Sequence, residues 1–197
     1  MKKEKLLSYE NMKLKNQLIF SITVSKEVCG RQCPGCYALK PQLRFPKVLQ
    51  YRERMLERSK QDSFTQEVID EIQQFKKPIE AVRLHSAGEF YSQDYINKWF
   101  TISKQLPKQK FYAFTKRKKD FDFSKLESLP NVVIIDSLKF GGLNYGSEAD
   151  MVKLKVEHGA MICPATFKGA SKDTCGVSCS WCWDKKAQQF GTVFIKH

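Results

Sequence analysis

Long apolar runs are missing from this chain of 197 residues. The longest ones, such as Val132 to Ile135, fall far short of the roughly 20 apolar residues that a membrane-spanning helix needs. The charged stretch Met1-Lys-Lys-Glu-Lys5 is also not followed by the apolar segment of a secretory signal. These absences argue against an integral membrane protein, and we predict a soluble, cytoplasmic protein without a membrane partner.

Acidic residues and histidines are scarce. The chain has 21 Asp and Glu against 34 Lys and Arg, which gives a formal net charge of +13, and it has only three histidines. A positive excess of this size indicates a polyanionic partner, for which nucleic acid or a nucleotide is the usual candidate. A generally basic surface with no dedicated partner remains the alternative. The oligomeric state is not predicted.

Internal repeats and low-complexity linkers are absent too, which argues against a solenoid. What is present instead is an alternation of short β-branched or aromatic segments with helical patterns, and this alternation predicts an α/β fold with a mainly parallel sheet. The predicted strands cover residues 17–25, 81–85, 110–115, 131–136, 160–163 and 191–195. The predicted helices cover 47–61, 63–76, 93–106, 123–129 and 148–157, the second of them opened by a capping box at Ser63 to Gln66.

Seven cysteines stand out against this background, and six of them fall in two short windows. An odd number of clustered cysteines, in a chain predicted to be cytoplasmic, indicates metal ligands rather than a disulfide framework. The spacing C-x3-C-x2-C occurs twice. The predicted ligands are Cys29, Cys33 and Cys36 in the first group, and Cys163, Cys175, Cys179 and Cys182 in the second.

The two cysteine groups differ in what they can hold. Three thiolates on one loop suit a [4Fe–4S] cluster whose fourth iron stays open to a small molecule. Four thiolates close a site completely, as in a structural or electron-relay centre. For the second group a tetrahedral zinc site remains an alternative to an iron–sulfur cluster.

Polar residues follow the predicted strands near the first group. His85 and the stretch Ser86-Ala-Gly-Glu89 end strand two, and Lys116 follows strand three. Glu89 is a candidate for orienting a ligand's ammonium group, with a solvated carboxylate as the alternative. Lys116 is a candidate for meeting a carboxylate or phosphate. His85 either points into a site or is packed and hydrogen-bonded in the core.

The stretch from Val28 to Ala38, at the end of a first strand, resembles the cluster loop of radical S-adenosylmethionine enzymes. That resemblance implies a partial βα barrel in which the three cysteines bind a [4Fe–4S] cluster. In those enzymes the open iron binds S-adenosylmethionine, and reductive cleavage makes a 5′-deoxyadenosyl radical, so the resemblance also implies an electron donor. It also implies cofactor-binding residues at the Gly-Gly-Glu-like motif and beside the third cysteine, here Ser86, Gly88, Glu89 and Tyr37.

More of the chain is similar to the gene product 88 family of phage proteins. The residues that carry this similarity are Cys33 to Ala38, Val82 to Ser92, Phe111 to Lys116 and the terminal cysteines. The resemblance implies a phage or mobile-element origin, hence the host cytoplasm, and supplies no reaction. We expect a partial βα barrel with an N-terminal cluster loop over residues 1–160, and a cysteine-rich segment over 161–197 packed on the same domain.

Three functions are consistent with these features. The first is a radical S-adenosylmethionine-like enzyme with an auxiliary metal centre, acting on a nucleic acid or nucleotide. The second is a non-catalytic, metal-stabilised nucleic-acid-binding protein. The third is a cluster-dependent enzyme without S-adenosylmethionine, for instance a nuclease in which the open iron acts as a Lewis acid. We favour the first.

Overall fold

The computed structural model describes residues 4–9, 11, 14–31, 33, 36–140, 145–170 and 175–195. They form a mixed α/β fold in which a five-stranded sheet carries helices on one face and the C-terminal cysteine-rich segment on the other. The strands follow one another in chain order. They are β1 (Ser8–Tyr9), β2 (Gln17–Phe20), β3 (Ala81–Leu84), β4 (Phe111–Thr115) and β5 (Val132–Asp136).

The strands β2 to β5 are mutually parallel, and β1 pairs antiparallel with the free edge of β2. Their register aligns Leu18, Val82, Phe111 and Val132 in one row across the sheet. All four side chains are completely buried. Because parallel strands point the same way, the loops that leave β2, β3 and β4 all emerge at one edge of the sheet.

Helices cover one face of this sheet and form the main core with it. Helix α4 (Phe64–Gln73) contributes Val68 and Ile72, and helix α5 (Gln93–Gln105) contributes Trp99 and Ile102. Helix α5 begins at a serine cap, where Ser92 Oγ accepts a hydrogen bond from the amide of Tyr95. The helices of this part are α1 (Lys26–Cys29), α2 (Leu39–Arg44), α3 (Pro46–Lys60), α4 (Phe64–Gln73), α5 (Gln93–Gln105) and α6 (Ser124–Ser128).

The opposite face of the sheet is covered by the C-terminal segment. Alternate strand residues point this way, and Tyr112 and Val133 pack there against Trp183 and Ala187. Trp183 belongs to a 3₁₀ turn, Trp181–Trp183, and Ala187 to helix α8 (Lys185–Phe190). The cysteine-rich segment therefore forms a second, smaller core with this face of the sheet.

A small second sheet is formed by three short strands from the last third of the chain. It has the order β6 (Tyr145–Gly146), β8 (Thr192–Ile195) and β7 (Met161–Ile162), and all of its pairings are parallel. Helix α7 (Glu148–His158) packs Met151 into this sheet's core. Residues before and after position 160 thus pack together in this small core.

The predicted α/β class with a mainly parallel sheet is confirmed, whereas a closed barrel is not found. Within the described ranges, the main sheet ends at β1 and β5 without joining them. The capping box predicted at Ser63 is wrong. Ser63 already has helical dihedral angles, and its hydroxyl donates to Glu67 Oε1 instead of capping the helix. The true capping box lies at Ser147 and Asp150, where each side chain accepts from the other's backbone amide.

In the described part of the chain, no helix combines the length and the apolar character needed to cross a membrane.

Candidate functional site

The first cysteine group lies directly beyond the carboxyl end of β2. Ser25 Oγ accepts from the Val28 amide at 3.2 Å and starts the short helix α1, which ends on Cys29. Gly30 then turns the chain with φ +68°, a conformation that suits glycine. Cys33 and Cys36 follow, while Gln32, Pro34 and Gly35 of the predicted loop lie outside the described residues.

This cysteine loop contacts the end of β4 at three points. Lys116 Nζ lies 3.1 Å from Cys33 Sγ, and Arg31 Nη2 donates to the Lys116 carbonyl at 3.3 Å. A Cβ atom on Gly30 would collide with the guanidinium of Arg117, so the glycine also permits close approach. Two cations directly after β4, Lys116 and Arg117, therefore border the cysteine loop.

Glu89 joins the ends of β3 and β4. Its Oε2 accepts from Thr115 Oγ1 at 2.8 Å and its Oε1 from the Lys116 amide at 2.8 Å. Burial raises the pKa of this carboxyl group, and these hydrogen bonds and the Lys116 charge oppose that shift. The structure thus brings two predicted catalytic residues, Glu89 and Lys116, to the cysteine loop.

The predicted cofactor-binding residues lie at the same edge. Tyr37, directly after Cys36, donates its hydroxyl to the Ser86 carbonyl at 3.2 Å, and 69% of its side chain is exposed. Gly88 has φ +86° and leaves no room for a Cβ beside Ile22. The absence of a side chain at Gly88 thus allows the turn after β3 to lie against the chain that leaves β2. This turn brings Glu89 to the end of β4.

His85 is not brought to the cysteines. Its Nε2 lies 2.9 Å from Tyr95 Oη, and its ring packs edge-on against Phe90 and Phe20 in the helix-facing core. Burial lowers the pKa of His85 to about 3, so the imidazole is neutral at physiological pH. Of the two alternatives that the sequence left open, the contacts favour the packed, hydrogen-bonded histidine.

The three thiols of the loop share one neighbourhood. Burial and the nearby Glu89 charge raise the pKa of the Cys29 thiol to about 11, and Cys36 and Cys33 act on it in the same direction. All three are half-buried and outside any disulfide. Among the described residues, no three His, Cys, Asp or Glu side chains already form a cage for a metal ion. The donor set nevertheless consists of the thiols that iron–sulfur clusters use.

The second cysteine group does come together on the opposite face of the sheet. The four thiols border one small cavity, together with Pro164, Ala165 and Trp183. Those four residues are Cys163, Cys175, Cys179 and Cys182. Residues 171–174, between the first two of them, lie outside the described part of the chain. Burial raises the pKa of the Cys182 thiol, as it does for Cys163 and Cys175.

The sheet supplies polar partners to this second group that sequence reasoning missed. Gln17, completely buried in β2, points Nε2 at Cys175 Sγ at 3.7 Å. Tyr112 Oη donates to Gln17 Oε1 at 2.6 Å. In the sequence, the one feature that could have indicated this contact was a glutamine at the start of an otherwise apolar predicted strand.

Arg83 of β3 is a partly buried cation near the second cysteine group. Its guanidinium stands over the rings of Tyr112 and Phe114. Among the described residues, its buried Nε atom finds no hydrogen-bond partner. The Arg83 charge opposes the rise in pKa that burial causes at the Cys163, Cys175 and Cys182 thiols.

A protein-family model described as gene product 88 matches residues 2–140. This range contains the first cysteine group and the ends of β2 to β4, and it stops before Cys163. No curated protein matches the chain, and no solved structure does.

Proposed function

The chain belongs to the gene product 88 family, whose description assigns no reaction, and from the site itself we propose a radical S-adenosylmethionine-like enzyme. In this proposal Cys29, Cys33 and Cys36 hold a [4Fe–4S] cluster with one open iron. The C-terminal cysteines hold an auxiliary metal centre. The family supports the expectation of a phage protein. We interpret the open parallel sheet as a partial βα barrel.

The observation that carries the proposal is the position of the cysteine loop. It lies past the carboxyl ends of parallel strands, which is where open α/β sheets bind their ligands. There it meets a buried carboxylate and an ammonium group that stands 3.1 Å from Cys33 Sγ. A loop of three cysteines used only for packing would not need these two opposite charges beside it.

The residues around the loop fit both the cluster and its ligand. When bound, a reduced [4Fe–4S] cluster supplies the electron that cleaves S-adenosylmethionine. The Lys116 ammonium would offset thiolate charge and would bind the cofactor's carboxylate. Glu89, which Thr115 already orients, would accept from the cofactor's amino group. Tyr37 presents a fixed, exposed ring at the rim.

Electron paramagnetic resonance tests this proposal on anaerobically purified, reduced protein, with and without S-adenosylmethionine. We expect a cubane-type signal with one component that shifts when the cofactor is added. We also expect reductive cofactor cleavage that is lost in Cys33→Ala. Lys116→Met should weaken cofactor binding about tenfold, the size of one charge-assisted hydrogen bond. The exposed neighbour Lys119 provides the control variant, Lys119→Met, which should bind the cofactor normally.

A cluster signal that ignores S-adenosylmethionine would contradict the proposal. It would favour the second candidate, a metal-stabilised nucleic-acid-binding protein, which is supported by the net charge of +13. Metal-dependent cleavage of nucleic acid without the cofactor would instead indicate a cluster-dependent nuclease.

A further inference from the structure

Three large exposed apolar side chains follow one another closely at a corner beside the cysteine loop. Tyr37, Leu43 and Phe45 are 69%, 73% and 50% exposed and lie within nine positions of one another. Single exposed apolar residues are common on protein surfaces, but a group of this kind marks an interaction site. The corner is formed by the turn before α2, by α2 itself and by the first residues of α3.

The same corner is strongly basic. Lys40, Arg44 and Lys47 are exposed, and no Asp or Glu occurs in residues 28–52. Across the described ranges, none of these three cations forms an ion pair with a carboxylate. We call the six side chains the α2 surface; they are Tyr37, Lys40, Leu43, Arg44, Phe45 and Lys47.

The geometry of the α2 surface suits stacking and charge pairing together. Lys40, Leu43 and Arg44 stand at spacings of three and four residues, so they share one face of α2. The Arg44 guanidinium lies 5.4 Å from the centre of the Phe45 ring. The Tyr37 ring is held in place through its hydroxyl bond to the Ser86 carbonyl.

The backbone beneath this surface is firmly anchored. Gln42, buried under α2, accepts from the Val24 amide at 2.9 Å and donates to the Val24 carbonyl at 3.0 Å. Arg52 donates to the Ala38 carbonyl at 2.7 Å. The exposed rings and cations are thus presented by a rigid support, which lowers the entropic cost of binding.

We propose that the α2 surface binds single-stranded nucleic acid and leads it to the cysteine loop. Exposed rings stack on unpaired bases, and unpaired cations neutralise phosphates. Tyr37 follows Cys36 directly, so a strand bound here passes over the site. This inference deepens the proposed function by naming its substrate class and rests on that function for the chemistry, although binding itself needs no cluster.

Fluorescence anisotropy with labelled 20-nucleotide dT and rU strands tests the proposal. We expect Tyr37→Ala and Phe45→Ala each to weaken binding at least about fivefold, because each removes one stacking platform. Lys40→Gln with Arg44→Gln should reduce the slope of log affinity against log salt by about 1.4, since each phosphate contact on a single strand contributes about 0.7. The dT and rU arms distinguish DNA from RNA as the source of the strand.

A matched control comes from α7, where Val156 is 80% exposed and lies next to the exposed Lys155. Val156→Ala with Lys155→Gln should leave both affinity and salt slope unchanged. An equal loss in this control would overturn the proposal, because binding would then follow overall charge. Equal affinity for duplex DNA would also overturn it, as would preferential binding to vesicles rich in anionic lipid.

The same titration on Cys33→Ala separates this inference from the proposed function. In one outcome, Cys33→Ala still binds the strand, and the resonance signal of the wild-type protein does not change with S-adenosylmethionine. This result would support nucleic-acid binding by the α2 surface and would contradict the proposed enzyme. A cofactor-dependent shift without strand binding would do the reverse.

Discussion

At the residue scale, His85 shows how burial determines the chemistry of a side chain. Its only described hydrogen bond goes to Tyr95, and its folded pKa of about 3 lies well below the unfolded value near 6.5. The unfolded chain therefore binds a proton that the folded chain excludes as the pH falls from about 6.5 towards 3. Over that window His85 reduces the free energy of unfolding, by about 2 kcal/mol between pH 7 and pH 5.

Denaturant unfolding of the wild type and His85→Gln at both pH values measures this contribution. We expect the variant to lose about 2 kcal/mol less between pH 7 and pH 5, because all other titrating groups are shared. Identical pH dependence of the wild type and His85→Gln would show that His85 binds its proton equally well in the folded and unfolded chain.

At the scale of the element, the cysteine loop depends on Gly30. An alanine there would combine the strain of φ +68° with a collision against Arg117. The positive φ alone costs about 1 kcal/mol and the overpacking about 1–3 kcal/mol more. We therefore expect Gly30→Ala to lower the free energy of unfolding by about 2–4 kcal/mol and to move Lys116 away from Cys33.

Gly169 isolates the strain from the collision, since it has φ +83° with nothing within 4 Å of an added Cβ. Gly169→Ala should cost only about 1 kcal/mol in the same denaturant titration. Equal destabilisation of the two variants would mean that Arg117 moves aside freely and does not support the loop.

The elements also show what sequence patterns can predict. Strands β3, β4 and β5 lie within one residue of their predicted limits, because apolar segments bounded by turn residues are local signals. The two-residue strand β1 and the six-residue helix α8 were missed, since segments so short carry too few residues to show a period. The Ser63 cap failed because the hydroxyl had a competing partner in Glu67.

In the candidate site, too, some features could be predicted from the sequence and others could not. Glu89 and Lys116 could be placed near the cysteines because each follows a parallel strand, and such strand ends meet at one edge. The approach of Gln17 to Cys175 could not be predicted, because it joins residues 158 positions apart and depends on which face the C-terminal segment covers. His85 was left open because its positive φ, which no pattern revealed, interrupts the alternation of β3.

At the scale of the whole molecule, the second cysteine group lies in the layer that covers one face of the sheet. Its four cysteines line a cavity within the C-terminal segment, and Trp183 of the same lining packs against the sheet. A metal ion or cluster bound by thiolates there would fasten this layer, and its binding energy would add to the stability of the fold. Cys179→Ser should therefore lose the metal and lower the melting temperature by about 5–10 °C, which corresponds to about 2–3 kcal/mol in a chain of this size.

Elemental analysis with calorimetry measures both effects, and visible absorption distinguishes an iron–sulfur cluster from zinc. Ser180→Ala, at an exposed position between Cys179 and Cys182, is the matched control and should keep both metal and melting temperature. Loss of metal without a change in melting temperature would mean that the apolar contacts of Trp183 and Ala187 hold the layer by themselves. An unchanged metal content in Cys179→Ser would remove this thiol from the ligand set. Only the first of these two outcomes would assign the fastening role to the contacts that bury the far face of the sheet.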